Sequence, residues 1–347
     1  MAVFAIPGDM HRRTGGFIYE SKLLQALRDL GHDVEHLQLP TSFPDPSSAD
    51  IARTRALLSA VPADRPILLD GFIPGSVGPE GLAGISAPLI PVIHHPLGLE
   101  TGLPTDRAAR LIEAEGAALR HAAAIIVPSP HTAQAIVRRL GVDAARITVA
   151  PPGFDMTGGT RHPVVPPVIL SVGLLAPRKG HDVLIGALAW IADLDWRARI
   201  VGAAHDPDLA ACLTRRIAAS GTDQRITLEG ELTVAELQDA YAGATIFALA
   251  TRYEGYGIVF GEAMKWGLPI ISCHVGAVPD TVGAAGILVP PDDPTALACA
   301  LRELLTDARQ LKNLSTLSAR AGAALPRWSD TAAVVARTVA TASRSQF

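Results

Sequence analysis

Two carboxylates separated by seven residues are the first feature of this sequence that could do chemistry. Glu254 and Glu262 bound a segment that also contains Gly255 and Gly257. Glycine allows the backbone to approach a ligand closely, and a carboxylate can accept hydrogen bonds from two hydroxyls of a ribose or a sugar. The plainer interpretation is an acidic first helical turn that complements the helix dipole. The spacing alone leaves both interpretations equally open.

The main-chain amides of the same segment could bind phosphate. A helix is predicted to begin near Gly257, directly after a strand and a loop, so the N–H groups of Gly257, Ile258 and Val259 would point into the loop. The N-terminus of a helix stabilises phosphate oxygens. The sequence therefore predicts donor-binding contacts from these three residues, with Glu262 on the first part of the helix.

A second strand-to-helix junction carries two adjacent cations, Arg178 and Lys179, followed by Gly180. Cations at such a junction could neutralise a diphosphate, which needs positive charge as a leaving group. The alternative is a solvated basic loop, and for this motif alone it is the favoured interpretation.

The first half offers two further candidates, Gly16 and His94. Gly15 and Gly16 follow the first predicted strand and permit close backbone approach, but they do not form the G-x-G-x-x-G pattern of nicotinamide enzymes. His94 follows a strand, where side chains of α/β domains face the ligand crevice and an imidazole could bind a sugar hydroxyl. A simple flexible turn is an equally open interpretation of Gly15 and Gly16. For His94 the equally open alternative is a structural histidine whose partners are backbone groups. No third ligand at suitable spacing accompanies His94 and His95, so no metal site is predicted.

Alternating strand and helix patterns predict an α/β protein with parallel sheets. Strands are expected at 2–6, 34–39, 67–69, 89–93, 124–127 and 147–149, and again at 168–172, 197–201, 226–228, 245–249, 269–272 and 286–289. Helices are expected at 18–30, 47–60, 105–120, 129–140, 181–191, 207–219, 233–242 and 257–266, from 294 onward, and over 315–343 with a break at Pro326. The Pro- and Gly-rich stretch 151–167 is the predicted linker. Two Rossmann-like halves imply a central cleft that binds ligands.

Composition limits the partners and the compartment. Apolar residues make up 48% of the 347 residues and charged residues 18%, which predicts large cores and no extended disorder. The net charge of −4 argues against a nucleic-acid partner. Three isolated cysteines, the absence of a signal peptide and the lack of a long apolar stretch predict a soluble cytoplasmic protein. Peripheral contact with the inner face of the membrane and the oligomeric state stay open.

Taken together, these motifs resemble the family 4 glycosyltransferases, which have the GT-B fold and retain anomeric configuration. The second half matches best, through Glu254 and Glu262, the Arg-Lys-Gly loop and the segment Gly276-Ala-Val-Pro-Asp280. The first half matches through Gly15–Gly16 and His94.

The resemblance implies an α/β GT-B fold with two Rossmann-like α/β/α domains facing a central cleft. Residues 1–160 would bind the acceptor and residues 161–325 the nucleotide sugar. The ending resembles the family segment that crosses back to the first domain, which implies this placement for residues 326–347.

The family's functional residues map onto five positions. Lys179 matches the lysine that binds the donor diphosphate, and Glu262 matches the carboxylate that holds the ribose hydroxyls. Glu254 matches the first glutamate, near the transferred sugar, and His94 matches the histidine by the reaction centre. Gly16 matches the glycine that lets a main-chain amide approach the phosphate or the acceptor, and it is counted with Arg178 and Lys179 among the predicted donor-binding residues. Glu254, His94 and Lys179 are thus the predicted catalytic residues.

One position departs from the family. Many relatives have arginine directly after the strand-end glycine, where this chain has Leu174. A lost cation would weaken stabilisation of the leaving group by several kcal/mol. We therefore expect Arg178, beside Lys179, to supply that charge.

The implied reaction is the transfer of a hexose from a nucleotide-diphosphate sugar to a hydroxyl acceptor, with retention and without a metal or cofactor. The acceptor could be a glycan, a glycolipid or a small molecule. Glu254→Gln or Lys179→Ala is expected to abolish transfer and leave folding intact. The alternatives are another GT-B enzyme, such as a sugar-nucleotide epimerase or a phosphorylase, and a non-enzymatic sugar-binding protein.

Overall fold

The computed structural model describes residues 2–12, 14–155, 158–204 and 206–344. The chain divides into two compact units. Unit 1 comprises Met1–Gly153 and Pro326–Phe347, and unit 2 comprises Phe154–Leu325. The break between them falls in the Pro- and Gly-rich stretch that the sequence predicts to be a linker.

Unit 1 contains a six-stranded sheet whose paired strands all run parallel. Its strands are β1 (Ala2–Pro7), β2 (Val34–Leu39), β3 (Ile67–Asp70), β4 (Leu89–Val92), β5 (Ile125–Val127) and β6 (Ile147–Val149). Their order is β2-β1-β3-β4-β5-β6. Strands β1, β3 and β4 are therefore neighbours, and the segments that follow them leave from the same edge of the sheet.

Helices connect these strands as the periodicity predicts, with one exception. They are α1 (Gly15–Asp29), α2 (Ser48–Ser59), α3 (Phe72–Leu82), α4 (Thr105–Leu119) and α5 (Pro130–Leu140). The sequence did not predict α3, because prolines and glycines interrupt its apolar pattern. Its backbone is non-helical at Gly78, where φ is 67°, and Pro79 follows at once.

Unit 2 also contains a six-stranded sheet whose paired strands run parallel. Its strands are β7 (Val168–Val172), β8 (Arg197–Val201), β9 (Ile226–Gly230), β10 (Ile246–Leu249), β11 (Ile270–Cys273) and β12 (Gly286–Val289). The order is β12-β11-β10-β7-β8-β9. Both faces of this sheet are covered, since Ile169 joins one buried apolar cluster and the next residue, Leu170, joins another.

Several helices of unit 2 begin directly after a residue whose side chain caps them. They are α6 (His181–Trp190), α7 (Pro207–Ala219), α8 (Val234–Gly243), α9 (Ile258–Lys265), α10 (Val278–Val282), α11 (Pro294–Thr306) and α12 (Ala308–Ala324). The predicted N-cap Asp293 accepts a hydrogen bond from the Ala296 N–H, and Pro294 opens α11. The short α10 was not predicted.

The last helix, α13 (Trp328–Arg344), belongs to unit 1. It packs against α1, where the Trp328 and Tyr19 rings meet edge to face at 5.4 Å. Thr331 Oγ1 also donates to the Pro151 carbonyl at 2.7 Å. None of the helices among the described residues has the length and apolar character to cross a membrane. The predicted α/β class with two parallel sheets is confirmed.

Candidate active site

The order of strands in unit 2 brings two predicted motifs together. Strand β7 pairs in parallel with β10, and the order of connections reverses between them. Ligands of open α/β sheets bind at the carboxyl ends of strands at such a reversal. The loop after β7 contains Arg178 and Lys179, and the loop after β10 contains Glu254. The Arg252 N–H donates to the Arg178 carbonyl at 2.7 Å and ties the two loops together.

A buried ion pair forms where these loops meet. Lys179 Nζ lies 2.6 Å from Glu254 Oε1, and Arg178 Nη1 lies 3.4 Å from Glu254 Oε2. Thr251 Oγ1 lies 3.1 Å from Glu254 Oε1, within hydrogen-bonding distance. The side chains of Lys179 and Glu254 are only 10% and 7% exposed. We call Arg178, Lys179 and Glu254 the donor cluster.

The donor cluster carries a net positive charge. Burial alone would raise the pKa of the Glu254 carboxyl, but the charges of Lys179 and Arg178 outweigh burial and lower that pKa. Glu254 is therefore ionised at neutral pH, and it balances one of the two cations. The remaining positive charge suits an anionic ligand such as a diphosphate.

Glycines allow the backbone around Glu254 to pack closely. Gly276 has φ of 53°, and a Cβ there would lie 2.4 Å from the Glu254 carbonyl oxygen. The Ala277 N–H donates to that same oxygen at 2.9 Å. Gly180, with φ of 63°, packs against Ala250 so closely that a Cβ would lie 1.9 Å from its carbonyl oxygen. Only glycine fits at both positions, so the two loops hold the donor cluster in a defined geometry.

The predicted phosphate-binding helix is α9. Gly257 is its N-cap residue, in the left-handed conformation with φ of 85°, and the helix begins at Ile258. The first N–H groups of a helix have no acceptors within it. The amides of Ile258 and Val259 lie in this first turn of α9. Their contact with a phosphate stays a prediction.

Glu262 lies on α9 and has a partner that the sequence did not reveal. Tyr241, fully buried on α8, donates its hydroxyl to Glu262 Oε2 at 2.8 Å. Burial raises the pKa of Glu262, and the Tyr241 hydrogen bond opposes that rise. Tyr241 lies 21 residues before Glu262 on another helix. No sequence spacing connects the two residues.

The loop at Leu174, the position that departs from the expected arginine, is held by another residue that the sequence did not predict. His181 is buried, and its Nε2 lies 3.2 Å from the Leu174 carbonyl oxygen. Burial lowers the pKa of His181 to about 4, so the ring is neutral and Nε2–H donates to that oxygen. Arg178 contacts Glu254, and its role as the cation that replaces an arginine at position 174 stays a prediction.

In unit 1 the structure brings Gly16 and His94 together. A Cβ at Gly16 would lie 3.1 Å from His94 Cδ2, so the glycine allows close packing against the imidazole. His94 Nε2 lies 3.4 Å from Oε1 of the buried Glu20. His95 contacts a different carboxylate, since its Nε2 lies 3.8 Å from Glu100 Oε2.

Comparison with known protein families shows which family this chain belongs to. Residues 166–307 match the family described as glycosyl transferases group 1, and residues 33–157 match glycosyltransferase family 4. The chain belongs to the family 4 glycosyltransferases. The sequence resemblance to this family is thereby confirmed.

Curated relatives of this family 4 chain include D-inositol 3-phosphate glycosyltransferases. The protein from Xylanimonas cellulosilytica is 28% identical over 240 residues, which cover 64% of this chain and 57% of that protein. The protein from Corynebacterium glutamicum is 31% identical over 248 residues, which cover 63% of this chain and 59% of that protein. The family 4 chain thus matches less than two thirds of the length of either relative.

Solved structures share the fold of the family 4 chain along nearly its whole length. Sucrose-phosphate synthase from Thermosynechococcus elongatus has a TM-score of 0.80 at 23% identity and covers 99% of this chain and 100% of its own. HepE of Anabaena, in complex with UDP and glucose, has a TM-score of 0.80 at 19% identity and covers 98% of this chain and 99% of its own. The predicted GT-B fold is confirmed.

The individual roles of the site residues in this family 4 chain stay predictions. The structure brings Arg178, Lys179 and Glu254 into contact and places Glu262 on α9. In the parts of the chain that the structure describes, no three His, Cys, Asp or Glu side chains form a group that could hold a metal ion.

Proposed function

We propose that this chain is a retaining glycosyltransferase that moves a hexose from a nucleotide-diphosphate sugar to a hydroxyl acceptor. The observation that carries the proposal is the donor cluster, a buried group with net positive charge at the strand-order reversal of unit 2. A diphosphate leaving group needs such charge as it departs. Family membership supports the same reaction class.

Each candidate site residue of unit 2 has a role in this proposal. Lys179 and Arg178 bind the diphosphate together with the amides at the start of α9. Glu262 accepts hydrogen bonds from the ribose hydroxyls, and Glu254 orients the transferred sugar. Because Glu254 is ionised and held by Lys179, it also stabilises positive charge that develops at the anomeric carbon.

The reaction exchanges one bond to the anomeric carbon for another. The bond to the diphosphate oxygen breaks, and a bond to the acceptor oxygen forms on the same face of the sugar. The acceptor proton passes to the departing diphosphate. Lys179 and Arg178 neutralise the charge on that group, and the proposal requires no metal.

A uridine diphosphate sugar is the first donor to test, because the similar structure of Anabaena HepE has been solved in complex with UDP-glucose. Unit 1, with Gly16 and His94, would bind the acceptor. Small phosphorylated polyols are among the first acceptors to test, because curated relatives are named D-inositol 3-phosphate glycosyltransferases. We place the reaction in the cytoplasm or at the inner face of the membrane.

A thermal-shift screen with UDP-, GDP- and ADP-sugars identifies the donor class, because a ligand that binds the folded state raises its melting temperature. Transfer to an acceptor panel is then followed by NMR, in which the anomeric coupling reports retention. Stabilisation by one nucleotide series and a retained anomer support the proposal. Conversion of the donor without an acceptor would indicate an epimerase. An inverted product, or no response to any nucleotide, would refute the proposal.

A further inference from the structure

A third cation, Arg252, contacts the segment that carries Arg178 and Lys179, and it has no role in the proposed function. Arg252 follows β10 and precedes Glu254 by two residues. Each of the three nitrogens of its guanidinium group has an acceptor in unit 2. Its main-chain N–H also has one, the Arg178 carbonyl. These acceptors show which parts of the neighbouring loops Arg252 holds.

The guanidinium group of Arg252 contacts both ends of the segment with the two cations. Nη1 donates to the carbonyl of Pro177, the residue before Arg178. Nη1 and Nη2 also donate to the two carboxylate oxygens of Asp182, at 3.1 and 2.9 Å. Asp182 lies in the first turn of α6, three residues after Lys179. We call the Arg252 guanidinium group with the Asp182 carboxylate and the Pro177 carbonyl the arginine clamp.

The middle of the same segment is held by main-chain hydrogen bonds. Residues 177–179 form one 3₁₀ turn, and the Gly180 N–H donates to the Pro177 carbonyl at 3.2 Å. The Arg252 N–H donates to the next carbonyl, that of Arg178, at 2.7 Å. Turns of this type are short and their own hydrogen bonds have poor geometry. Contacts from Arg252 therefore contribute to the position of the two cations.

The charge of Arg252 is balanced by carboxylates. Burial alone would raise the pKa of Asp182, but the hydrogen bonds and the charge of Arg252 lower it, so Asp182 is ionised at neutral pH. A bidentate arginine–carboxylate pair is strong and has a specific geometry. Arg252 Nε also lies 2.7 Å from Asp292 Oδ1. Since two carboxylates contact this one cation, Arg252 is suited to holding the loops rather than to attracting an anion.

Asp292 connects a third loop to the clamp. It follows β12 and has φ of 56°, a left-handed conformation that aspartate adopts more readily than most residues. Through Arg252, the loops after β7, β10 and β12 are joined at the carboxyl edge of one sheet.

We propose that Arg252 is a positioning residue, anchored by Asp182, that holds Arg178 and Lys179 in the geometry that binds the diphosphate of a nucleotide sugar. This role in binding rests on the proposed function, whereas the clamp is a property of the chain alone. Arginine is required at this position. Lysine keeps the charge, but it cannot make the bidentate contact with Asp182 and also reach the Pro177 carbonyl.

Calorimetric titration of Asp182→Asn with UDP and UMP separates positioning from direct binding; if the thermal-shift screen identifies another base, its diphosphate and monophosphate are used. If Arg252 bound the diphosphate directly, this substitution would release the guanidinium group and remove a repulsive charge, so UDP should bind more tightly. If Arg252 positions the other two cations, UDP should bind about tenfold more weakly, the effect of one lost hydrogen bond to a charged group. The affinity for UMP should change less, because the cations are proposed to bind the diphosphate. Arg252→Lys should have the same effects.

A double-variant cycle tests the clamp without a nucleotide. The free energies of unfolding of Arg252→Lys, Asp182→Asn and the double variant are measured in urea. We expect non-additive effects, because the two side chains contact each other. Both substitutions nearly preserve side-chain size, and far-UV circular dichroism checks that the variants fold.

Arg199→Lys is the matched control. Arg199 also makes a bidentate pair in unit 2, with Glu229 at 2.5 and 2.6 Å. Its side chain is 32% exposed, against 21% for Arg252. This pair joins β8 to β9 instead of the loops after β7 and β10. Its substitution can lower stability, but the ratio of UDP affinity to UMP affinity should stay at the wild-type value.

Tighter binding of UDP by Asp182→Asn would overturn the inference, as would wild-type UDP affinity in both Asp182→Asn and Arg252→Lys. Additive effects on the free energy of unfolding would also overturn it, whatever the nucleotide results. A wild-type chain that binds UDP no more tightly than UMP would refute the donor cluster of the proposed function, and the inference with it. The wild-type titration therefore distinguishes failure of the proposed function from failure of the clamp.

Discussion

Lys179 Nζ and Glu254 Oε1 lie 2.6 Å apart, so the cation proposed to bind the donor is paired with a buried carboxylate. Both side chains are at most 10% exposed. A diphosphate that enters the site must share Lys179 with Glu254. Arg178, 3.4 Å from the other carboxylate oxygen, keeps the cluster positive.

The first prediction concerns stability, because this pair argues against the expectation that Lys179→Ala or Glu254→Gln leaves folding intact. Removing one partner of a buried ion pair typically costs about 3–5 kcal/mol, since the other charge stays buried. Lys179→Met should therefore lower the urea denaturation midpoint. The double variant Lys179→Met/Glu254→Gln should be more stable than the sum of the single effects predicts. Additive effects would mean that the two side chains do not interact.

The second prediction concerns Tyr241. Tyr241→Phe removes the hydroxyl that donates to Glu262 Oε2 at 2.8 Å and leaves the ring in place. A hydrogen bond to a charged group contributes about 1.5–3 kcal/mol, so nucleotide binding measured by calorimetry should weaken by about tenfold or more. Ser318→Ala is the control, because it removes a buried hydroxyl of unit 2 that donates to the Leu268 carbonyl instead. Equal nucleotide affinity in Tyr241→Phe and the wild-type chain would show that Tyr241 does not position Glu262 for the ribose.

The third prediction concerns Gly276. Gly276→Ala introduces a Cβ 2.4 Å from the Glu254 carbonyl oxygen at a residue with φ of 53°. The backbone at Glu254 must shift, and a shift of about 1 Å at a substrate-positioning residue can cost a hundredfold in rate. Turnover should therefore fall by at least about tenfold. At Gly243 a Cβ would meet nothing within 4 Å, so Gly243→Ala is the control. Normal turnover in Gly276→Ala would show that the Glu254 backbone tolerates displacement.

The fourth prediction is a pH dependence of stability from Glu20. Burial raises its pKa to about 8, so the folded chain keeps a proton that the unfolded chain loses near pH 4.5. Between these values the folded state binds more protons, and stability falls as pH rises, by at most about 1.4 kcal/mol per pH unit. Glu20→Gln removes this titration. Denaturation midpoints at pH 5.5, 6.5 and 7.5 should show the wild-type chain losing stability relative to the variant. Parallel curves would contradict the raised pKa of Glu20.

The sequence predicted much of the fold because its signals are local. Buried aliphatic runs identified the strands, and Asp293 with Pro294 marked the start of α11. It missed α3, where the break at Gly78 and Pro79 hides the helical period. Local patterns also predicted that the residues after β7 and β10 would carry chemistry.

The partners of those residues were not predictable, because the strand order that joins them is a long-range property. Tyr241 contacts Glu262 from a different helix, at a position that no motif spacing marks. Glu20 is part of an ordinary amphipathic helix in the sequence, and Asp70 ends a strand 50 residues later. The adjacency of β1, β3 and β4, which no sequence spacing shows, brings Glu20 Oε1 to 3.4 Å from His94 Nε2.

Calorimetric titration with UDP and UMP tests whether the donor cluster binds the diphosphate of a nucleotide sugar. If the thermal-shift screen identifies another base, the diphosphate and monophosphate of that base are used. The wild-type chain should bind the diphosphate at least about tenfold more tightly than the monophosphate, a difference of about 1.4 kcal/mol. Lys179→Met should abolish that preference. Arg302→Met, which removes an exposed cation paired with Asp193 in the same unit, should keep it. A wild-type chain without the preference, or a Lys179→Met variant that retains it, would show that the donor cluster does not bind the diphosphate.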